Sequence, residues 1–330
     1  MKKILFAALA VVAFFACTKD VITDAPESAI DFASNTQCAV KSTLVDGNNF
    51  ASFKVYAFNG ENVIMDDMEV KKVGEAWTYS PKKYWPATGT VDFFGVYMDE
   101  LNKITDNYRS ECVADPVYGL MFGLDMAITD KKVVEAAKIP DAVYATAIGK
   151  KKEDGAVHMN FRHAMAQIDF QIRNATNADD KIVVESGDVY VEDLYYSGIY
   201  IAPKTQSTTE DTGIGSWDYY GYPKANYIFR SKATSIAADD TSGILSDLCM
   251  AFPQAATDVK LVLNCTIKQN GVVIFSGEKT AECNIDWKEG HKYTYIFLLE
   301  DGHLESNVIE FTAGVTAIES GGTQVLPPNN

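Results

Sequence analysis

The strongest constraint on the fold is a period-two alternation of apolar and polar residues in short runs that end at turn residues. Its clearest instance places small or apolar side chains at every second position: Val259, Leu261, Leu263, Cys265 and Ile267. Asn270-Gly271 follows, and then a second β-forming run at residues 272–275. Successive side chains of a strand point to opposite faces, and Asn-Gly is a preferred two-residue hairpin turn. This stretch therefore predicts a β-hairpin, with Cys265 as a small buried side chain.

Similar runs recur along the chain and predict an all-β fold. Residues 53–58 alternate up to an Asn-Gly turn, and residues 91–98 form a near-continuous run of β-forming residues that is too short for a core helix. Residues 293–299 and 308–311 supply two further strands. No helix of ordinary length is predicted anywhere.

Two stretches lack this pattern. We expect residues 99–139 to be irregular, with one or two helical turns at 130–137. Residues 202–221 contain Gly, Ser, Thr and aromatic residues and are expected to form a long surface loop or an irregular hairpin.

The strands fall into two blocks separated by a charged turn at residues 150–155. In the second block the apolar positions of 157–161 and 168–172 have opposite parity, so the chain needs a bulge or a bend near His163-Ala164. Two blocks of short strands predict two β-sandwich domains in series, at residues 29–154 and 155–330.

The first residues predict export. The first three residues include two lysines, and an apolar run follows at 4–16. This run is shorter than the roughly 20 residues that span a bilayer, so the sequence predicts a signal peptide at residues 1–16. Cys17 follows a small residue in a pattern that resembles a bacterial lipobox, which predicts palmitate and other acyl chains on Cys17 and a lipidated linker at 17–28. An ordinary signal peptide with a chance cysteine is the alternative.

Composition argues against several functional classes. The formal net charge is −16, so nucleic acid is a poor partner. The chain has only 4 His, and His158 and His163 lie five positions apart, on opposite faces of a strand. No CxxC, GxSxG, HExxH or glycine-rich phosphate motif is present. We therefore expect no metal, no cofactor and no catalytic residues, and a hydrolase ranks behind a structural and a binding protein.

One aromatic cluster stands out as a candidate adhesive loop: Trp217, Tyr219, Tyr220 and Tyr222. Aromatic rings at a loop tip bind glycans or partner proteins. The alternative is that these rings cap one end of a sandwich.

Four segments, in this order, resemble the fimbrillin-like (Mfa-like) lipoproteins of Bacteroidetes. They are the Tyr-Trp-Pro and Val-Asp-Phe-Phe-Gly-Val-Tyr pieces within 84–97, Asp-Ala-Val-Tyr-Ala at 141–145, the F-x-H-x-x-A-x-I-like pattern within 157–168, and W-x-x-G-x-x-Y-x-Y at 287–295. The resemblance implies two transthyretin-like β-sandwich domains. It also implies a stalk, tip or anchor subunit of a protease-assembled pilus.

In such subunits a protease cuts near the first strand, and a strand from the next subunit fills the vacated groove. Lys41, the only basic residue between Lys19 and Lys54, is the candidate processing site, and a solvated loop lysine is the alternative. The expected partners are other pilus subunits and the outer membrane, through the lipid anchor. The alternative function is a surface lipoprotein that binds glycan or host protein without polymerising.

Overall fold

The computed structural model describes residues 28–35, 50–128, 132–205, 214–232, 235–238, 243–304, 309–317 and 324–325. Their regular structure consists of strands with a few short 3-10 helices, which confirms the predicted all-β class. None of the described helices is long and apolar enough to cross a membrane.

The strands of the first half, in chain order, are β1 (Phe32–Asn35), β2 (Ser52–Asn59), β3 (Asn62–Val73), β4 (Ala76–Thr78), β5 (Val91–Met98), β6 (Tyr108–Asp115), β7 (Gly119–Met126), β8 (Val133–Glu135), β9 (Ala142–Lys150), β10 (Val157–Asn160) and β11 (Arg162–His163). Those of the second half are β12 (Ala166–Asn174), β13 (Ile182–Tyr195), β14 (Ser197–Ile201), β15 (Ser216–Asp218), β16 (Lys224–Phe229), β17 (Ser235–Ala237), β18 (Gly243–Ile244), β19 (Cys249–Ala251), β20 (Ala255–Gln269), β21 (Val272–Asp286), β22 (His291–Leu299), β23 (Glu310–Ala317) and β24 (Gln324–Val325). The 3-10 helices are Ala136–Lys138, Lys152–Asp154, Ala178–Asp180 and Asp301–His303.

A six-stranded sheet, ordered β11-β9-β5-β2-β3-β4, lies between two apolar cores. Phe93 of β5 belongs to the first core and Phe94 to the second, and both are almost fully buried. Because neighbouring residues of a strand face opposite sides, a strand buried on both sides needs a continuous apolar run. This explains the run at 91–98 and confirms the buried strand predicted there.

The first core is closed by a two-stranded parallel sheet of β1 and β10. Gly95 of β5 lets β10 approach closely, because a Cβ at this position would lie 2.8 Å from Met159 Cε and 3.0 Å from Phe161 Cζ. The far side of the central sheet contributes to the second, larger core together with the remaining strands.

Three further sheets enclose the second core. Their orders are β15-β14-β7-β6, then β18-β12-β22-β23-β24 with β19 also paired to β12, and β21-β20-β13-β16-β8 with β17 also paired to β13. The transthyretin-like layout of two sandwiches remains the prediction, and the two apolar cores are compatible with it.

Strands on the two sides of residue 154 pair with each other. β10 and β11 follow residue 155, yet β10 pairs with β1 and β11 pairs with β9. β7 and β8 precede residue 154, yet they pair with β14 and β16. The division into domains 29–154 and 155–330 therefore stays a prediction, and the pairing of strands does not follow it.

The hairpin predicted at 259–275 is present as β20 and β21. Asn270 and Gly271 both have positive φ, of 52° and 81°, as a two-residue hairpin turn of this kind requires. The interruption expected near His163-Ala164 is also present, since β11 ends at His163 and the next strand, β12, begins at Ala166. Within the segment 202–221, residues 216–218 form β15, which pairs antiparallel with β14 as an irregular hairpin would, and residues 206–213 lie outside the described residues.

The expectation that 99–139 is irregular is wrong. β6 and β7 form an eight-residue antiparallel ladder within it. In β6 the inward positions are Tyr108, Ser110 and Cys112, all buried, and the outward Arg109 and Glu111 are exposed. A buried serine in the middle of the strand conceals the alternation, because the pattern requires an apolar residue there.

Four cysteines of the described chain are free thiols, and none is paired with another: Cys112, Cys249, Cys265 and Cys283. Cys265 is buried, as expected from its place in the alternation. Burial raises the thiol pKa to about 11 for Cys265 and to about 12 for each of the other three. Since the thiolate is the reactive form, protonation protects all four thiols, and burial also excludes the reagent from Cys112, Cys249 and Cys265.

We therefore expect iodoacetamide at about pH 8 to leave these four thiols unmodified in the folded protein and to label them all in concentrated guanidinium chloride. Peptide mass spectrometry after labelling measures this directly. Rapid labelling of Cys249 or Cys265 under native conditions would contradict the described packing.

Candidate functional site

The segment at residues 28–35 carries the first strand, and its backbone hydrogen bonds change partner halfway along. The Ile30 amide donates to the Lys83 carbonyl over 2.9 Å, and the Trp85 amide donates to the Ser28 carbonyl over 3.3 Å. Residues 28–30 are therefore paired with the chain at 83–85, which includes an antiparallel bridge between Ala29 and Tyr84.

From Asp31 onward the partner is β10. The Val157 amide donates to the Asp31 carbonyl over 2.7 Å, and β1 then runs parallel to β10 from Phe32 opposite Val157 to Asn35 opposite Asn160. In the described chain β1 has no second strand partner. A short strand paired on one side is held chiefly by its side chains.

Two side chains of this segment enter the first core. Ile30 is completely buried and Phe32 is 6% exposed. The Phe32 ring makes edge-to-face contacts with three aromatic rings, at centroid distances of 5.9 Å to Phe53, 5.6 Å to Tyr79 and 5.8 Å to Phe93. We call the depression that holds Ile30 and Phe32, between β10 and residues 79–85, the first-strand groove.

Tyr79 fixes the backbone of the segment inside this groove. Its hydroxyl donates a hydrogen bond of 2.7 Å to the Ile30 carbonyl. Burial raises the pKa of the Tyr79 phenol, so the hydroxyl stays protonated and remains a donor. Asp31, by contrast, points outward to Lys82 at 3.6 Å, and such exposed ion pairs add little to stability.

Replacing Phe32 tests how the groove holds the strand. We expect Phe32→Ala to weaken the attachment of residues 28–35 by about 3–5 kcal/mol, because it empties a pocket lined by aromatic rings. Hydrogen–deuterium exchange should then accelerate at the Ile30 and Val157 amides. The exposed control Asp31→Ala should change stability by less than about 0.5 kcal/mol. Unchanged exchange in Phe32→Ala would show that the groove does not hold the strand through this ring.

Two of the predicted site residues, Cys17 and Lys41, lie outside the described residues. Their roles in lipidation and processing stay predictions. So does the signal peptide at 1–16.

The structure separates the four aromatic residues of the candidate adhesive loop. The Trp217 indole donates from Nε1 to the Ala164 carbonyl over 2.7 Å, and its ring lies 4.8 Å from that of Phe252. Tyr219 donates to the Pro253 carbonyl over 2.5 Å, and burial raises the pKa of its phenol. These two rings pack onto the second core, which is what the capping interpretation expects.

Tyr220 and Tyr222 differ from them. Tyr220 is 93% exposed, and Tyr222 is partly buried. β15 ends at Asp218, and Tyr220 lies in the turn that follows it. Tyr220 is thus the freely exposed ring of the group, and an adhesive role for the loop stays a prediction.

A buried carboxylate that the sequence did not single out joins three parts of the fold. Glu289 lies in the turn before β22 and is 6% exposed. Tyr144 of β9 donates to its Oε1 over 3.0 Å, and Tyr200 of β14 donates to its Oε2 over 2.7 Å. The Gly215 amide in turn donates to the Tyr144 hydroxyl over 3.4 Å. The central sheet, the four-stranded sheet and the β21–β22 turn are therefore tied together at one side chain.

The pKa of Glu289 is raised, because the cost of burying its charge outweighs the two tyrosine hydrogen bonds, the nearby Arg162 charge and the Gly215 backbone. The sequence signal was available: Glu289 lies inside the W-x-x-G segment at 287–290. That segment is typical of a structural turn, and nothing in a linear pattern indicates that its acid is turned inward.

This burial predicts a dependence of stability on pH. A carboxyl group whose pKa is raised by folding stabilises the fold below its unfolded pKa and loses that contribution as the pH rises through its folded pKa. Glu289→Gln removes the titration and keeps the shape. We expect the stability of the variant relative to the unmodified chain to increase as the pH rises from about 4 to about 7, because only the unmodified chain loses the contribution of the protonated carboxyl group.

Urea denaturation at several pH values measures this difference. Glu278→Gln, at an exposed position of β21, is the matched control and should show no such trend. A stability difference for Glu289→Gln that is constant across the pH range would contradict the raised pKa.

The two histidines that are close in sequence have different environments. His158 is exposed on β10, whereas His163 is buried with its Nδ1 2.9 Å from Asp141 Oδ1. Within the described part of the chain, no group of three or more His, Cys, Asp or Glu residues is arranged to hold a metal ion.

A family model described as fimbrillin-like matches residues 32–316, which is most of the sequence. The chain belongs to the fimbrillin-like family. The match begins at Phe32, the aromatic residue that fills the first-strand groove. Membership of this family indicates a structural protein and not an enzyme. No curated protein matches the chain in sequence.

Two solved structures have a similar fold. A fimbrial protein from Bacteroides vulgatus is 14% identical, with a TM-score of 0.53, over 88% of this chain and 99% of that chain. A putative cell adhesion protein from Bacteroides uniformis is also 14% identical, with a TM-score of 0.51 and the same coverage. At this identity the likeness concerns the fold alone.

Proposed function

We propose that this fimbrillin-like chain is a subunit of a protease-assembled fimbrium on the cell surface, where neighbouring subunits join by exchange of a strand. Family membership supports a fimbrial-type subunit that associates with other such subunits. The observation that carries the finer proposal is the first-strand groove, which is apolar, aromatic and filled by a short segment near the start of the exported chain.

Removing residues 28–35 would leave two unmet requirements. The pocket around Phe53, Tyr79 and Phe93 would be exposed to water, and the backbone groups of β10 and of residues 83–85 that pair with the segment would lose their partners. An extended segment from another molecule meets both requirements. Its backbone pairs with the exposed backbone groups, and every second side chain can fill the apolar pocket.

The chain itself contains a suitable segment near its other end. The groove holds Ile30-Asp31-Phe32, and a triplet of the same kind, Ile309-Glu310-Phe311, spans the start of β23. In each, two large apolar residues flank an acid at the spacing of one strand face. Related triplets at 91–93 and 168–170 belong to β5 and β12, which have strand partners on both sides along much of their length. β23 is paired with β22 over eight residues but with β24 over two, so it is the most easily released of the three.

In this proposal acyl chains on Cys17 hold the exported chain at the outer membrane. A cut after Lys41 separates residues 17–41, which include the lipidated linker and the first strand, from the rest. The groove is then free to accept residues 309–311 of a second copy. An uncut subunit keeps its first strand and its anchor.

Limited trypsin treatment of the exported chain tests this. We expect cleavage after Lys41, a new N-terminus at Ser42, and ladders of higher mass in size-exclusion chromatography. Lys41→Ala should remain uncut at this position and monomeric. Lys19→Ala, which removes a basic residue ahead of the first strand, is the matched control and should assemble normally.

The variant Phe311→Ala tests the donor segment, residues 309–311. It should be cleaved like the unmodified chain and assemble poorly, with circular dichroism confirming that it folds. A chain that is cut after Lys41, loses residues 28–35 and still remains a monomer would contradict strand exchange.

A further inference from the structure

The backbone that leads into β23 changes its partner at Ile309. The Ile309 amide donates a hydrogen bond of 3.1 Å to the Thr280 carbonyl of β21, whereas Glu310, the first residue of β23, lies opposite Leu298 of β22. β21 belongs to a different sheet from β22 and β23. The Ile309 side chain is 2% exposed and is part of the second core. The start of the donor segment, residues 309–311, is therefore held by two sheets.

The residue before Thr280 binds the same connection at an earlier point. Lys279 of β21 is completely buried, and its Nζ donates a hydrogen bond of 2.5 Å to the His303 carbonyl, in the 3-10 helix that follows β22. The same Nζ lies 4.1 Å from the centroid of the Phe275 ring. Lys279 and Thr280 thus bind the chain at His303 and at Ile309, both of which precede β23.

Packing alone does not account for a buried lysine at this position. Burial lowers the pKa of the Lys279 amino group, because desolvation disfavours its charged form. A methionine of similar length would fill the space without the cost of burying an ammonium group. The lysine amino group donates hydrogen bonds in either charge state, and methionine has no donor. What Lys279 adds over a methionine is therefore hydrogen bonding, including the bond to the His303 carbonyl.

We propose that Lys279 keeps β23 in its own molecule until a neighbouring subunit takes it up. This inference rests on the proposed strand exchange, in which residues 309–311 leave their own molecule. Ile309 leaves only when its hydrogen bond to Thr280 breaks, and Lys279 restrains the chain next to that bond. Lys279 is a positioning residue, because it acts through the connection before β23 and is no part of the first-strand groove.

The proposal predicts an effect that depends on which subunit carries the substitution. A subunit donates residues 309–311 at one place and accepts a segment in its first-strand groove at another. Loss of the Lys279 hydrogen bond should therefore accelerate exchange when the donating subunit lacks it, and should have no effect when the accepting subunit lacks it. A general loss of stability would act in both subunits.

Two variants separate the donating and accepting roles. Uncut Lys41→Ala keeps its own first strand, so it donates and does not accept. Phe311→Ala that has been cut after Lys41, with the trypsin then inhibited, has an open groove and donates poorly. Size-exclusion chromatography follows the complex that forms when the two are mixed. We expect Lys279→Met in the donor to accelerate its formation about tenfold or more, and Lys279→Met in the acceptor to leave the rate unchanged.

Hydrogen–deuterium exchange of the uncut chain measures the restraint directly. In Lys279→Met the Ile309 amide should exchange about tenfold faster, whereas amides in the β2–β5 ladder of the central sheet should keep their rates. The matched control is Lys260→Met on the neighbouring strand β20, which removes a half-buried lysine that is 3.4 Å from Glu192 and should change neither measurement.

Circular dichroism verifies that each variant folds. Lys279→Gln, whose shorter side chain should not reach the His303 carbonyl, is the second variant and should behave like Lys279→Met. Unchanged exchange at the Ile309 amide, an unchanged rate of complex formation, or equal acceleration from donor and acceptor would overturn the role of Lys279 and leave strand exchange standing. No complex with the unmodified Lys279 in both chains, after mass spectrometry shows that the acceptor has lost residues 28–35, would overturn strand exchange and this inference with it.

Discussion

The packing of Ile30 and Phe32 in the first-strand groove is the interaction on which the functional account depends. These two side chains, one tyrosine hydrogen bond and a few backbone hydrogen bonds hold the described first segment. The core beneath them is otherwise complete, because Phe53 and Phe93 belong to the central sheet, whose strands pair with one another independently of β1. A segment attached in this way can be removed while the strands of the central sheet remain paired. Its removal exposes aromatic surface to water, which favours the binding of another extended segment in the groove.

The remainder of the molecule is built to stay in place when that segment leaves. The central sheet separates the two cores, and its far face shares the second core with the three sheets that do not contain β1 and β10. Glu289 adds a polar junction in which Tyr144 and Tyr200 converge on one carboxylate. A carboxylate buried in this way costs stability at neutral pH, but its two donors come from different sheets, so the arrangement specifies how those sheets meet. The two segments that the proposed exchange moves, the first strand and β23, thus lie at the margins of this framework, since in the described chain β1 is paired with β10 alone and β23 pairs with β24 over only two residues.

The parts of the fold that the sequence predicts well are those in which burial is uniform along a strand. The run at 91–98 is apolar because both faces are covered, and the β20–β21 hairpin follows from strict alternation and an Asn-Gly turn. The sequence did not predict β6, because a polar residue, Ser110, occupies a buried inward position of this strand. It did not predict the burial of Glu289, because the two tyrosines that contact this side chain are 145 and 89 positions away in the sequence. Trp217 and Tyr219 pack onto the second core as the capping alternative expects, but nothing in the linear pattern separated that alternative from an adhesive loop. The contacts of Glu289 are long-range, and a linear pattern carries no information about them.

The most direct test of strand exchange is the structure of an assembled fibre of this chain, determined by cryo-electron microscopy. The account predicts that the first-strand groove of each cut subunit holds an extended segment whose density continues into a neighbouring subunit, and that residues 28–35 of the same subunit are gone. Fibres in which every groove still contains its own Ile30 and Phe32 would contradict the account.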